Sequence, residues 1–241
     1  MKKIPIIIQA RESSKRFPGK IFKKIGDKSI LEIILSELKK SKLTSKIFIA
    51  SSQKTNKEKI LKICLKYKSE VFFGSENNVL SRYIKICKKN NIKSFIRLTA
   101  DNPLISFREL DKFIYFFKKN KLDYVSNLMP PTYPEGYSIE IIKTDLIKKV
   151  FYNNPGKNDK EHVTYSIVKK KIKCKSKNIA LNKNMNYYRL TCDYRDDLAK
   201  LRKIFTAFKF NVPTFKELIK SKVFLIAKKS KFKKKRSIHY V

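Results

Sequence analysis

Short apolar runs alternate with longer amphipathic stretches through the first half of this chain, the rhythm of strands separated by helices. Residues 4–9, 46–50, 70–73, 94–99 and 123–126 read as strands. Between them, residues 29–40 place Ile30, Leu31, Ile33, Ile34, Leu35 and Leu38 on one helical stripe. Ser29 is the expected N-cap there, and Glu32 completes a capping box. Residues 56–67, 78–89 and 106–118 read as further helices, the last capped by Ser106 with Glu109 three residues on. Single helices between strands require crossovers, so the sheet is expected to be mostly parallel, in a three-layer α/β fold. After Leu128 the rhythm changes. Residues 130–136 form a turn-rich loop, 137–142 and 187–192 read as strands, and 143–152, 159–170 and 196–208 as helices. The expected organisation is one domain over 1–210, a small lobe inserted at 129–175, and a basic extension over 211–241.

The first strand runs directly into residues 9–20, Gln-Ala-Arg-Glu-Ser-Ser-Lys-Arg-Phe-Pro-Gly-Lys. A loop at the carboxyl end of a first strand is where open α/β sheets bind nucleotide phosphates. Arg11, Arg16 and Lys20 supply positive charge, while Gly19 and the serines let backbone amides approach an anion. Two aspartates follow strand ends in the same way. Asp101 sits just past 94–99, where it would either hold Mg²⁺ against a nucleotide phosphate or close the turn through an Asx hydrogen bond. Asp193 follows 187–192 as a second metal ligand, with Asp196 and Asp197 placed to favour a helix N-terminus.

The chain has 241 residues, 42% of them hydrophobic, enough for one buried core. No run of 18 apolar residues suggests a membrane span. The apolar N-terminal run is interrupted by Pro5 and ends at Gln9, which does not suit a secretory signal, so a cytoplasmic location is expected. Cys64, Cys87, Cys174 and Cys192 are scattered, and only His162 and His239 accompany them, a poor set for zinc. Cys64 and Cys87 fall on helical apolar stripes and read as reduced core thiols.

A net charge of +38 invites a nucleic-acid reading. The basic residues are spread along the whole chain, however, and only nine of the 58 are arginine. Abundant lysine, isoleucine and asparagine with five glycines is the pattern of drift toward A/T-rich codons. Nucleic acid is therefore not the expected partner, although the field would gather anionic substrates. The cluster of cations at 231–236 reads as a solvated terminus.

Residues 8–20 resemble the I-x-A-R-x-x-S-x-R-x-P-x-K signature of sugar-acid cytidylyltransferases, with Gln9 as in the spore-coat-polysaccharide branch. Residues 73–83, 97–104, 132–136, 161–164 and 190–198 match further motifs in the same order, so the resemblance covers 4–207. It implies a nucleotide-diphospho-sugar-transferase-like fold and the activation of a sugar acid by CTP with Mg²⁺. By that likeness Lys20, Arg11 and Arg16 are the catalytic cations. Ala10, Ser14, Ser75, Arg82 and Thr99 join Arg11 and Lys20 around the nucleotide, and Asp101 and Asp193 hold the metal. Glu161 and His162 face the sugar. Related enzymes are often dimers, and the lobe at 129–175 is the expected contact. The chain departs from the branch at Asn78 and Ser138, where acidic residues are common. A glycosyltransferase on a similar fold would want an Asp-x-Asp pair at a strand end, which Asp101-Asn102-Pro103 does not supply.

Overall fold

The computed structural model describes residues 2–228. Its elements run β1 (Ile4–Ala10), β2 (Lys24–Ile25), β3 (Lys28–Ser29), α1 (Ile30–Leu38), β4 (Thr44–Ser52), α2 (Lys57–Lys66), β5 (Glu70–Gly74) and α3 (Val79–Lys89). They continue β6 (Ser94–Thr99), α4 (Phe107–Lys119), β7 (Tyr124–Ser126), β8 (Glu140–Lys143), α5 (Thr144–Tyr152), α6 (Lys157–Glu161) and α7 (Tyr165–Val168). β9 (Ser176–Asn178), α8 (Arg195–Ala207) and α9 (Phe215–Lys220) complete the set.

Seven strands form one sheet in the order β5-β4-β1-β6-β8-β7-β9, with β2 and β3 as a separate hairpin. β1 pairs in parallel with β4 and β6, and β4 with β5. β8 alone runs against its neighbours β6 and β7, so the sheet is mixed but mostly parallel. Both faces are covered, which is why β1 reads as a continuous apolar run rather than an alternating one. Ile6 and Ile8 pack beneath α1, α2, α4 and α8, while Ile7 packs with α3, α5 and α7 on the other face. The capping box at Ser29 and Glu32 is present, with the Ser29 amide donating to Glu32 Oε2 at 2.9 Å. Asn78 caps α3 through its side-chain oxygen.

Three sequence expectations need correction. Residues 187–192 do not form a sheet strand; the segment is extended but makes only isolated bridges, Arg189 with Glu135 and Tyr188 with Lys228. Its apolar residues are buried, with Leu190 and Cys192 in the main core, without forming a ladder. The helix expected over 159–170 is two short helices, α6 and α7, broken at 162–164. Residues 211–228 are not set apart from the domain, because Phe215, Leu218, Phe224 and Ala227 are buried in the main core. The cation cluster at 231–236 and His239 lie outside the described residues.

A cationic turn meets two aspartates

The β1 loop folds tightly on itself. The amides of Ser14 and Gly19 both donate to the Glu12 carbonyl, at 2.8 and 2.9 Å. Gly19 has φ +67°, a conformation that costs a side chain but not glycine. Phe17 plugs the loop into the core. The chain then makes a 3-10 turn at Lys20–Phe22, which buries Ile21 and turns Lys20 inward, 7% exposed.

Lys20 Nζ lies 2.7 Å from Asp101 Oδ2 and 2.7 Å from Asp193 Oδ1. The backbone enforces this meeting: the Cys192 amide donates to the Asp101 carbonyl at 2.8 Å, so the two aspartates arrive side by side. Gly136 permits it. With φ +95°, any Cβ there would stand 2.3 Å from the Thr191 amide nitrogen. Arg16 Nη2 reaches the other oxygen of Asp193 at 2.5 Å.

Arg189, which the sequence reading missed, organises the base of the cluster. Its Nη1 meets Glu135 at 2.6 Å, its Nη2 meets Asp193 at 3.0 Å, and its Nε spans both oxygens of Asp197 at 3.1 Å. Asp197 in turn accepts the amides of Asp193 and Tyr194, each at 2.9 Å. The Arg16 and Arg189 guanidinium groups lie over the Tyr194 ring, 5.4 and 5.3 Å from its centroid. The local clues to Arg189 are an arginine within a strand-like run and the distant Thr-Tyr-Pro-Glu-Gly motif. Nothing local joins them.

The charges are strongly coupled. Burial disfavours the charged Asp193 carboxylate, but Lys20 and Arg16 outweigh that cost and hold its pKa well below the usual carboxylate range. Burial likewise opposes the Lys20 ammonium, and Asp101 and Asp193 reverse it, so its pKa is raised. Arg16, Lys20 and Arg189 face Glu135, Asp101, Asp193 and Asp197: three cations against four carboxylates. In a chain of net charge +38, carboxylates here outnumber the cations that face them among the described residues.

That charge and chemistry suit a hard divalent cation held between protein and phosphate. Among the described residues no three acidic, histidine or cysteine side chains converge as a protein-only metal cage. Mg²⁺ needs none, since it characteristically takes one or two carboxylates and completes its shell with water and phosphate. Asp101 and Asp193, already converging on one ammonium, fit that role.

The remaining expected residues form a second group or stand apart. Arg11 is half-buried; burial opposes the Glu76 carboxylate, but hydroxyl bonds from Ser13 and Ser52, then the charges of Arg11 and Arg82, outweigh it and lower the Glu76 pKa. Arg82 is 1% exposed, beneath Gly74, and donates to the Ala50 carbonyl at 3.2 Å. Its Nε and Nη2 have no hydrogen-bond partner among the described residues, and burial lowers its pKa. Ala10 is core and Ser14 is buried in the loop. The Ser75 hydroxyl accepts the Asn78 amide at 3.2 Å, and Thr99 Oγ1 accepts from Asn102 at 2.9 Å. Glu161 and His162 lie at the end of α6, which packs on α3, and the His162 amide donates to Asn158 at 2.7 Å.

A family model described as "Cytidylyltransferase" matches residues 5–230. The chain belongs to the cytidylyltransferase family, whose members are nucleotidyltransferases. It is 28% identical over 214 residues to the spore coat polysaccharide biosynthesis protein SpsF of Bacillus subtilis, covering 85% of this chain and 87% of that one. An uncharacterised protein of Methanocaldococcus jannaschii is 40% identical over 164 residues, 67% of this chain and 65% of its own length. Among solved structures, a cytidylyltransferase from Leptospira borgpetersenii superposes with a TM-score of 0.85 at 30% identity, over 91% of this chain and 93% of that one. A CMP:2-keto-3-deoxy-manno-octonic acid synthetase complexed with CTP superposes with a TM-score of 0.64 at 14% identity, over 86% and 100%, a likeness of fold. This family membership agrees with the resemblance seen in the motifs, and the fold is of the nucleotide-diphospho-sugar-transferase type.

Proposed function

We propose that this cytidylyltransferase transfers the cytidylyl group of CTP to a sugar acid, for the synthesis of a surface polysaccharide or glycoconjugate. The observation that carries the reading is the convergence of Lys20 on Asp101 and Asp193, with Arg16 on the far side of Asp193. A sugar hydroxyl attacks the α-phosphorus in line, the bond to the bridging oxygen breaks, and pyrophosphate leaves. Negative charge grows on the α-phosphoryl and bridging oxygens. Lys20 and Arg16, fixed beforehand by carboxylates, meet that charge with little reorganisation. Mg²⁺ held by Asp101 and Asp193 would supply further charge neutralisation on the phosphates.

Arg11 and Arg82 belong on the nucleotide side, beside the Ser75–Asn78 turn. The unpartnered Nε and Nη2 of Arg82 favour a ligand acceptor near that group. Ala10, Ser14 and Thr99 line the loop and strand end around it. Glu161 and His162 face the sugar from the α3 side, and a homodimer would pair through 129–175. No helix among the described residues is long and apolar enough to cross a membrane.

The test is pyrophosphate release from CTP, UTP, GTP and ATP against a panel of nonulosonic and octulosonic acids with Mg²⁺. CTP with one class of sugar acid is the expected productive pair. Release that is indifferent to the sugar acid, or that prefers another nucleotide, contradicts the reading.

A further inference from the structure

We propose that a second anion subsite, built by Arg16, Lys23, Arg195 and Arg202, receives the pyrophosphate that nucleotidyl transfer releases. The inference rests on the CTP-dependent reading above and extends it to the departing product. A cleft of about 540 Å³ opens beside the cluster, with these four cations and Phe17 and Pro18 among its lining residues and no carboxylate. It is continuous with the reacting centre through Arg16, whose Nη2 holds Asp193 at 2.5 Å while its side chain remains 38% exposed.

The identity of the cations matters more than their number. The chain has nine arginines among 58 basic residues, so a surface cleft drawn from this composition would be lined by lysine. Three of the nine arginines line this one. Phosphate oxygens suit a planar, multidentate donor, which arginine supplies and lysine does not. Besides Arg16, Arg202 is held in place: it donates from Nε and Nη2 to the Lys24 carbonyl, at 3.2 and 3.0 Å, which ties α8 to the β2–β3 hairpin. Lys23 is placed over the Phe17 ring, 5.9 Å from its centroid.

The chemistry needs such a place. When the sugar oxygen bonds to the α-phosphorus, the bridging oxygen departs with the β- and γ-phosphates as pyrophosphate, and the hydroxyl proton passes to solvent. Lys20 and Arg16 bind the triphosphate before the step. Cations beyond Arg16 give the product somewhere favourable to move, away from Asp101 and Asp193.

Arg195→Gln and Lys23→Gln, singly and together in the full chain, test the subsite; both residues are exposed, so folding should survive. Two readouts are needed: calorimetric affinity for pyrophosphate alone, and pyrophosphate inhibition of turnover beside the KM for CTP. In the double variant, pyrophosphate should bind about tenfold more weakly, the effect of losing charge-assisted hydrogen bonds. The KM for CTP should rise less than about threefold, since those groups lie beyond the triphosphate. Unchanged pyrophosphate affinity overturns the subsite, and so does a CTP KM that rises in step, because the cleft would then belong to the triphosphate site. Arg195-dependent binding of random RNA without pyrophosphate binding also overturns it. Binding of pyrophosphate that depends on Arg195, in a chain that never consumes CTP, supports the anion site while sinking the reading on which its role rests.

Discussion

The two ends of the central sheet both carry positive charge and use it in different ways. At the carboxyl ends of β1 and β6, Lys20, Arg16 and Arg189 each face at least one carboxylate at 2.5–3.1 Å. At the amino ends of the same strands, a cleft of about 370 Å³ is lined by Lys2, Lys3, Lys46, Lys93 and Lys118, with no arginine and no carboxylate. Lys118 there donates to the Lys2 carbonyl, and burial lowers its pKa. The first end fixes its cations in advance against carboxylates. The second gathers lysines, of which Lys46 pairs with Glu70 at 3.1 Å in an exposed ion pair outside the cleft lining. Charge density makes a field; opposed groups held at fixed distances make a reacting centre.

Substitutions at the two ends should separate these roles most sharply. Lys20→Ala or Asp193→Asn should lower pyrophosphate release by at least about 100-fold, as expected for loss of a preorganised charge at the reacting phosphate. Lys3→Ala with Lys93→Ala, at the other end, should leave it within about twofold. Equal losses at both ends would mean that the field, not the cluster, drives turnover. Arg189→Gln comes next. It strands buried carboxylates and should cost about 3 kcal/mol in urea unfolding, with turnover falling because Asp193 loses its fixed orientation. Arg189→Lys should recover part of the stability but less of the turnover, since an ammonium cannot bridge three carboxylates as a fork does. Gly136→Ala should cost at least about 2 kcal/mol, because its Cβ has no room against the 190–191 backbone.

The smallest effect is in pH. The Asp193 pKa is depressed by folding, so its contribution is present above the unfolded value near 4 and is lost as pH falls below it. The Lys20 pKa is raised, so its contribution is present below about 10.4 and is lost as pH climbs past that. The stability difference between the native chain and Asp193→Asn should be flat from about pH 5 to 9 and shrink on both sides. A difference that changes through neutral pH would show that another group governs the cluster.

Much of the fold was legible because local signals agreed with the global arrangement. β6 spans the residues expected, and α1 begins at the capping box that Ser29 and Glu32 announce. What the sequence hid depends on partners far along the chain. β9 is Ser176–Asn178, a polar edge strand without apolar alternation, and β2–β3 is too short for any period. Arg189 draws its meaning from Glu135, which no spacing rule connects to it. Lys20, Asp101 and Asp193 were readable because each follows a strand or strand-like run at the end where α/β sheets bind phosphates. Among the described residues, Arg82, Ser75 and Thr99 share no hydrogen bond or ion pair with that cluster; Arg82 bonds Ala50, Ser75 bonds Asn78 and Thr99 bonds Asn102.

The most direct measurement is calorimetric binding of CTP, with Mg²⁺, to the native chain and to Lys20→Ala. Affinity in the variant should fall at least about 30-fold, because a buried ammonium placed by two carboxylates has no substitute among the exposed lysines. Native-like CTP affinity without the Lys20 ammonium would contradict the claim that this cluster holds the triphosphate.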